Sequence, residues 1–258
     1  MSLDLRGKIA AGELGVYVPI AAVSSFLVVK YALRRDAGWL FLSLFSWARI
    51  AGGALVLAGQ LTEKVDLLTG AYILEPSALS LLLLSTIGFL GMAGQHTYSE
   101  IPRVTVFFRV FGLITLAGLG LAIAGGIIGS PASPNNANVG DILRRVSSCV
   151  YGLVFVLLMM AFFGTFSYRW HLRSYRRNLL WGIGAAMPFL GTRVAYGIMA
   201  AFSATDIFGL ETTENAILAK MNPVTGDWVL YLVLSLVMEL VAAAIFLLAS
   251  TVMARRYR

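Results

Sequence analysis

The chain has 258 residues, of which 59% are hydrophobic and 13% charged, and a formal net charge of +7. Soluble domains carry about 25% charged residues, so the composition argues against a water-soluble protein and for one polytopic membrane domain spanning residues 1–258. The positive balance is explained by basic cytoplasmic loops before nucleic-acid binding is invoked, and the single cysteine, Cys149, excludes an internal disulfide and a Cys-based metal cluster.

Seven segments are long enough to cross about 30 Å of hydrocarbon, which takes about 20 residues. The expected fold is therefore an all-α, seven-transmembrane-helix bundle. The first segment lies near 12–33. Its lead-in, MSLDLRGKIAAGELGVY, lacks a clean signal peptide, so a retained first helix carrying Glu13 and Tyr17 is expected. The second, near 37–59, contains Trp47 and Arg49 inside LFLSLFSWARIAGGALVLAG. The third, near 68–94, has its most apolar run in SALSLLLLSTIGFLGMAG. If LLTGAYIL upstream lengthens it, Glu75-Pro76 falls inside the membrane at a kink. The other reading is an interfacial LTEKVDLL turn before a shorter span.

The fourth segment, near 104–128, places the small residues Gly112, Gly118, Gly120 and Ala124 at near-helical spacing, which favours close packing. Arg109 near its cytoplasmic end can snorkel to the interface. SPASPNNANVGD reads as a flexible loop before the fifth segment, near 146–167. The sixth, near 179–202, holds Arg193 and Tyr196. The acidic connection ATDIFGLETTENAILAKMNPVTGD follows, with a short helix expected around 214–221, ended by Asn222-Pro223. It can cap a cavity or serve as a plain connector. The seventh segment, near 228–251, holds Glu239.

Loop charge sets the expected orientation. Eleven basic residues lie on the side of the 30–36, 95–103 and 168–178 loops and the C-terminal tail, against six on the other. The richer side is cytoplasmic, which puts the N-terminus in the lumen or outside the cell and the C-terminus in the cytosol. The endoplasmic reticulum is the expected membrane because it supplies lipid-soluble substrates.

An ionisable side chain at the bilayer centre costs about 2.5–3.5 kcal/mol on insertion scales, so it is paired, lines a polar cavity, or both. Counted along their helices, Arg49, Arg193 and Glu239 all lie about 13–17 Å down, near the midplane. The sixth and seventh segments are consecutive and antiparallel, so an Arg193–Glu239 pair is expected. Glu13 and an embedded Glu75 would join the same layer. Two readings follow: a charge-balanced network that locks the bundle, or a polar pocket for a substrate arriving from lipid. In the second, a carboxyl group acts as proton donor. A carboxylate paired with Arg is held ionised and is a poor acid, so Glu239 is expected to orient, and Glu75 or Glu13 to donate. Tyr17, Trp47 and Tyr196 are candidates to line the path of a carbocation through their aromatic faces, or else simply to pack or anchor.

His96 and His171 have no partner at metal-ligand spacing, so no metal site is expected. Phosphate-loop, dinucleotide-binding and nucleophile-elbow motifs are absent, and no cofactor is expected. The last segment has no lysine for a retinal Schiff base. The third segment ends in GMAGQHTYSE, without the acidic-Arg-Tyr signal of G-protein-coupled receptors.

The stretches GELGVYVP at 12–19, GWLFLSLFSWARIAGG at 38–53, RRNLLWGIGAAMPFLGTRVAYGIMAAFS at 176–203 and NPVTGDWVLYLVLSLVMELVAAAIF at 222–246 resemble a group of small fungal seven-helix integral membrane proteins. Glu in helix one, Arg in helices two and six and Glu in helix seven mark that group without defining an activity. Glu75-Pro76 departs from its pattern. In size and helix count the chain is also similar to fungal membrane-bound terpene and meroterpenoid cyclases. That architectural resemblance implies protonation of an epoxide or terminal alkene by an intramembrane acid, then ring closure of a prenyl chain. The expected function is such a cyclase in secondary metabolism. Its catalytic candidates are Glu75, Glu13 and Glu239, and its substrate-binding candidates Arg49, Arg193, Tyr17, Trp47 and Tyr196. Its partners would be an isoprenoid substrate and membrane lipids, with no nucleic acid. The competing expectation is a transporter, exporter or sensor that uses the same charges.

Overall fold

Apolar segments in hydrocarbon must bond their own backbone groups, and a helix does so within one segment. The computed structural model describes residues 4–31, 37–98, 102–130, 137–167, 169–172, 174–206, 208–209 and 213–254, and among them no β-sheet forms. The long helices are α1 (Leu5–Tyr31), α2 (Ala37–Thr62), α3 (Val65–Tyr98), α4 (Pro102–Ile128), α5 (Ala137–Ser167) and α6 (Ser174–Ala201). A short helix α7 (Ala216–Lys220) follows. The last rod runs as α8 (Trp228–Leu230), a π-helical stretch (Tyr231–Val237) and α9 (Met238–Ala254).

Six of these rods are long and apolar enough to cross a membrane: α1 to α5 and the last one. The protein is thus compatible with a multi-pass membrane fold. Helix α6 has 28 residues, but Pro188, Arg193 and several glycines dilute its apolar character.

The helices pack in sequence, α1 on α2, α2 on α3, α3 on α4, α4 on α5 and α5 on α6, and α6 then packs on α9. Helix α3 also touches α5 and α6. About 67% of its apolar span is buried, against 22–33% for the other five spans, so the bundle is built around α3. This central position follows from its sequence, a run of Leu, Ser and Thr with side chains short enough to let neighbours close in. Thr86 and Ser77 return their hydroxyls to carbonyls four residues back, which satisfies them inside the apolar core.

Close approach is set by glycine. A Cβ on Gly88 of α3 would stand 2.6 Å from the backbone of Gly38 in α2. At the α4–α5 crossing, a Cβ on Gly125 would stand 2.9 Å from the Arg144 backbone nitrogen. The small residues expected to pack in α4 do so only in part. Gly118 meets Tyr151 and Val150, but Gly112 and Gly120 have open space around them, and the tight contacts fall at Gly125 and Gly126 instead.

Glu75-Pro76 lies inside α3, so the longer of the two readings holds. Helix α5 starts at Ala137, nine residues before the expected segment, which places Arg144 and Arg145 on a helix rather than in a loop. The connection after α6 is ordered over residues 213–227. Asn215 and Asp227 cap α7 and α8. Asn222 Oδ1 accepts from the amides of Val224 and Thr225 at 2.7 and 3.1 Å. Gly209 has φ of 69°, a left-handed conformation that glycine adopts without strain, and its carbonyl accepts from Thr225 Oγ1 at 3.0 Å. The 32–36 loop, Arg173 and the tail from 255, which carry much of the orientation argument, lie outside the described residues, as do the side chains of Arg103, His96 and His171.

Candidate functional site

The charged side chains that the apolar helices carry meet in one buried layer. Glu239 is at its centre and is fully buried. Arg49 reaches it with two nitrogens: Nε donates to Oε1 at 3.1 Å, and Nη2 donates to Oε2. Arg193 Nε donates to Oε2 at 3.1 Å. Glu239 is thus held by two guanidinium groups, one from α2 and one from α6. The expected Arg193–Glu239 pair is present, and Arg49, which makes the two-nitrogen contact, completes it.

The other two carboxylates sit at the ends of this chain of contacts. Glu13 Oε1 accepts from Arg49 Nη1 at 3.3 Å. Glu75 is held more loosely, with Arg193 Nη2 at 3.7 Å and the Ser235 hydroxyl at 3.4 Å from its Oε1. The layer therefore joins α1, α2, α3, α6 and the last rod through Glu13, Arg49, Glu239, Arg193 and Glu75. It contains three carboxyl groups and two guanidinium groups.

The last rod presents its part of the site by spacing. Tyr231, Ser235 and Glu239 are four residues apart, which keeps them on one face of a helix. The π-helical stretch over Tyr231–Val237 ends just before Glu239. Such wide turns are frequent at functional sites. Tyr231 and Ser235 were not among the sequence candidates, although their spacing from Glu239 was a usable signal. Tyr72, three residues before Glu75 on α3, is likewise a neighbour on the same helix face.

Two openings reach the layer from the end of the bundle that holds the N-terminus of α1 and the 203–227 connection. The larger is a cleft of about 110 Å³. It is lined by Glu75, Arg193, Tyr196, Arg144 and Asn222 together with apolar Leu79 and Val194. The smaller, about 60 Å³, is lined by Glu13, Arg49 and Tyr231. Tyr72, Glu75 and Pro223 line both, so Glu75 stands between two chambers. The 203–227 connection therefore contributes to the mouth of the site. Arg6 donates to the Pro223 carbonyl there.

The aromatic candidates separate. Tyr196 lines the cleft, with Arg193 Cζ 5.9 Å from its ring centre and Tyr231 at 6.5 Å between centroids. Its hydroxyl is buried and has no hydrogen-bond partner among the described residues. Tyr17 is fully buried against Phe45, edge to face at 5.7 Å, and lines neither opening. Trp47 is 55% exposed on the outside of the bundle and donates to Ser25 Oγ at 3.1 Å. It is not part of the site. The reason is helical: residues two apart point to nearly opposite faces, and Trp47 is two before Arg49.

Among the described residues no group of three or more His, Cys, Asp or Glu side chains could hold a metal ion. The site's resources are therefore carboxyl groups, fixed positive charges, hydroxyls and aromatic faces beside apolar walls.

Comparison with curated proteins and with solved structures gives no match. Residues 3–256 match the family described as a domain of unknown function, DUF7702. That match covers nearly the whole length, and the chain belongs to the DUF7702 family.

Proposed function

We propose that the protein is a membrane-bound terpene or meroterpenoid cyclase that starts ring closure of a prenyl or epoxy-prenyl chain by protonation, with Glu75 as the donor. The observation that carries this reading is the difference between the two central carboxylates. Glu239 is sealed from both openings and held by two arginines. Glu75 faces both openings, and its nearest partners stand at 3.4 and 3.7 Å. A carboxyl group must reach its substrate to protonate it, and of these two only Glu75 can.

The chemistry balances within the site. The Glu75 carboxylic acid gives its proton to the epoxide oxygen or to the terminal alkene carbon, which leaves a tertiary carbocation. The π-bond of the next isoprenoid unit attacks that centre and forms the ring carbon–carbon bond. The final cation loses a proton back to the Glu75 carboxylate. The product is an isomer of the substrate, and no redox equivalent is consumed. Tyr72 and Tyr196 offer ring faces to the cation. Arg193 and Arg49 fix the carboxylates, and Glu13 stands as a second acid on the smaller opening. Drug-sized ligands occupy pockets of about 300–1,000 Å³. A cleft of about 110 Å³ thus admits the reacting end of a chain, whose remainder leaves through the mouth.

In the bilayer we place seven spanning helices, with α6 as the sixth. Its 28 residues make a rod of about 42 Å, and it delivers Arg193 to the same layer as its neighbours. The site then opens toward the lumenal or outer side, the C-terminus is cytosolic, and the endoplasmic reticulum of a fungal cell is the proposed membrane.

The test is direct. Microsomes bearing the protein are incubated with a prenylated phenol or its epoxide. A cyclic isomer of unchanged mass is expected, and Glu75→Gln should reduce its formation by at least a hundredfold. Recovery of only acyclic substrate across a panel of chain lengths defeats the reading. A second reading, a small-molecule or lipid transporter or exporter, is favoured by the two openings facing one end of the bundle with Glu75 between them. It predicts altered efflux in a deletion strain and no isomer.

A further inference from the structure

We infer that the larger cleft is a binding site for an uncharged carbonyl compound with an apolar body, whose oxygen accepts a hydrogen bond from Tyr196. The inference uses the cleft described above and stands apart from the cyclisation.

The first support is a set of polar atoms without partners. Tyr196 of α6 and Tyr151 of α5 line the cleft and are 1% and 2% exposed. Neither hydroxyl has a hydrogen-bond partner among the described residues. Ser80 stands beside Tyr151, but its own hydroxyl donates to the Ser77 carbonyl at 2.7 Å. Arg144 belongs to the same lining, and its Nε is also buried without a partner, while its Nη2 meets Asp141 and the Ala204 carbonyl. A buried polar group left unpaired is costly, and a guanidinium N–H can only donate. The cleft is therefore lined by donors short of acceptors. Tyr17 shows why position matters. Its hydroxyl is unpaired too, but it packs on Phe45 and lines neither opening, so no ligand reaches it.

The second support is a charge count, independent of those atoms. Glu75 and Asp206 line the cleft against Arg144 and Arg193. Around them, Glu13, Glu239 and Asp141 are matched by Arg6, Arg49 and Arg145. Arg6 belongs in the count because it lines the smaller opening beside Glu13 and Glu75. With every group ionised, acids and bases balance. An ammonium or a carboxylate entering the cleft would find no counter-charge left for it, and burying such a charge is costly. An uncharged ligand leaves the balance intact.

A carbonyl group meets both conditions. Its oxygen offers two lone pairs, has no net charge and brings no proton that needs an acceptor. An alcohol would add a donor to a lining already short of acceptors. Apolar side chains complete the fit: Leu79 of α3, Ala122 of α4 and Val194 of α6 line the same cleft. Its volume of about 110 Å³ takes the carbonyl end of a molecule whose apolar remainder extends through the opening.

The experiment uses the full chain in nanodiscs of zwitterionic phosphatidylcholine, with empty nanodiscs as the blank. The probe is benzylacetone, an uncharged ketone with a phenyl tail. Its comparators are the amine and the alcohol of the same skeleton and hydrocinnamate, an anion of similar size. Calorimetry at pH 7 is expected to show saturable binding of the ketone, and binding of the ammonium and the carboxylate at least tenfold weaker. The alcohol should bind more weakly than the ketone. In the infrared, ketone isotope-labelled at its carbonyl should show a bound stretch at lower frequency than in empty nanodiscs. Tyr196→Phe is expected to weaken ketone binding about two- to tenfold, a lost hydrogen bond, and to move the bound stretch back up. Its own thermal midpoint should not fall, which separates ligand contact from a structural role. Native protein that binds no ketone beyond the blank holds only water in the cleft, and the inference is overturned. Equal binding of either charged comparator overturns it as well, and neither result requires a variant to fold. So does a Tyr196→Phe protein whose bound stretch and affinity match the native ones. Ring closure without ketone binding sinks this inference and leaves the cyclase standing. Ketone binding without ring closure does the reverse.

Discussion

Arg49 and Arg193 share Glu239 in the middle of the bundle, and Arg144 and Arg145 share Asp141 near the start of α5. Both arrangements set two guanidinium groups on one carboxylate at close to 3 Å. In the second, all three residues lie on one helix at spacings of three and four, and the arginines are 19% and 31% exposed. Helix geometry brings them together, and the two arginines are partly open to solvent, although Asp141 and the Nε atoms of both arginines are buried. Such pairs contribute about 0.3–0.5 kcal/mol each. In the first, the three residues come from α2, α6 and α9, and the side chains are at most 5% exposed. No local geometry brings them together. The bundle must form first, and once formed it cannot tolerate the loss of one member. The same groups are brought together by one helix in α5 and by the assembled bundle around Glu239.

That contrast can be broken by cutting the shared carboxylate in each place. Glu239→Ala removes the carboxylate that both guanidinium groups share and leaves them only Glu13 at 3.3 Å and Glu75 at 3.7 Å, and removing one partner of a buried pair costs about 3–5 kcal/mol. A large fall in thermal midpoint, or loss of the folded peak in detergent chromatography, is expected. Asp141→Ala is expected to cost about 1 kcal/mol or less by the same measurement. Equal shifts for the two variants would show that burial does not separate the clusters.

A double-mutant cycle sharpens the first case. Glu239→Gln and Arg193→Gln each destabilise, and the pair together is expected to fall short of their sum by about 0.5–3 kcal/mol. The restoration should be partial, because Arg49 still faces a neutralised Glu239. Strict additivity in chemical denaturation would mean that Arg193 and Glu239 do not interact in the membrane. Repeating the cycle with Arg49→Gln is expected to give the larger coupling, since Arg49 meets Glu239 through two nitrogens.

The same contrast explains what could be read in the chain. Long apolar runs reveal helices, so the six apolar rods and the charge-bearing α6 were legible, with ends misplaced where polar residues continue a helix past its apolar stretch, as at 137–145 in α5. Depth counting along each helix put Arg49, Arg193 and Glu239 in one layer, because antiparallel rods of similar length share a midplane. Rotation about each axis was the missing quantity. Tyr196 is three residues from Arg193 and Tyr17 is four from Glu13, so both share a face with a charge. Only Tyr196 reaches an opening, because Tyr17 turns into the α1–α2 contact against Phe45. Ser235 and Tyr231 share the face of Glu239 and were overlooked because neither is charged. Whether α3 included Glu75 was open on sequence, since Pro76 stops many helices. Here its missing N–H is absorbed inside a 34-residue rod packed on several sides.

The smallest expected effects test that account of rotation. Trp47 and Tyr17 both stood as candidates to line a cation path, and the structure puts them outside it for opposite reasons. Trp47→Phe removes one exposed hydrogen bond to Ser25, worth about 0.5–1.5 kcal/mol at most, and should leave any activity or ligand binding of the cleft unchanged. Tyr17→Phe removes a hydroxyl that is buried with no partner among the described residues. Deleting an unpaired buried polar atom relieves its desolvation penalty, so the variant is expected to be as stable as the native protein or more so by about 1 kcal/mol. If Tyr17→Phe instead destabilises, the hydroxyl is engaged, and the layer around Glu13 and Arg49 extends one helix turn further along α1 than its carboxylate contacts alone define.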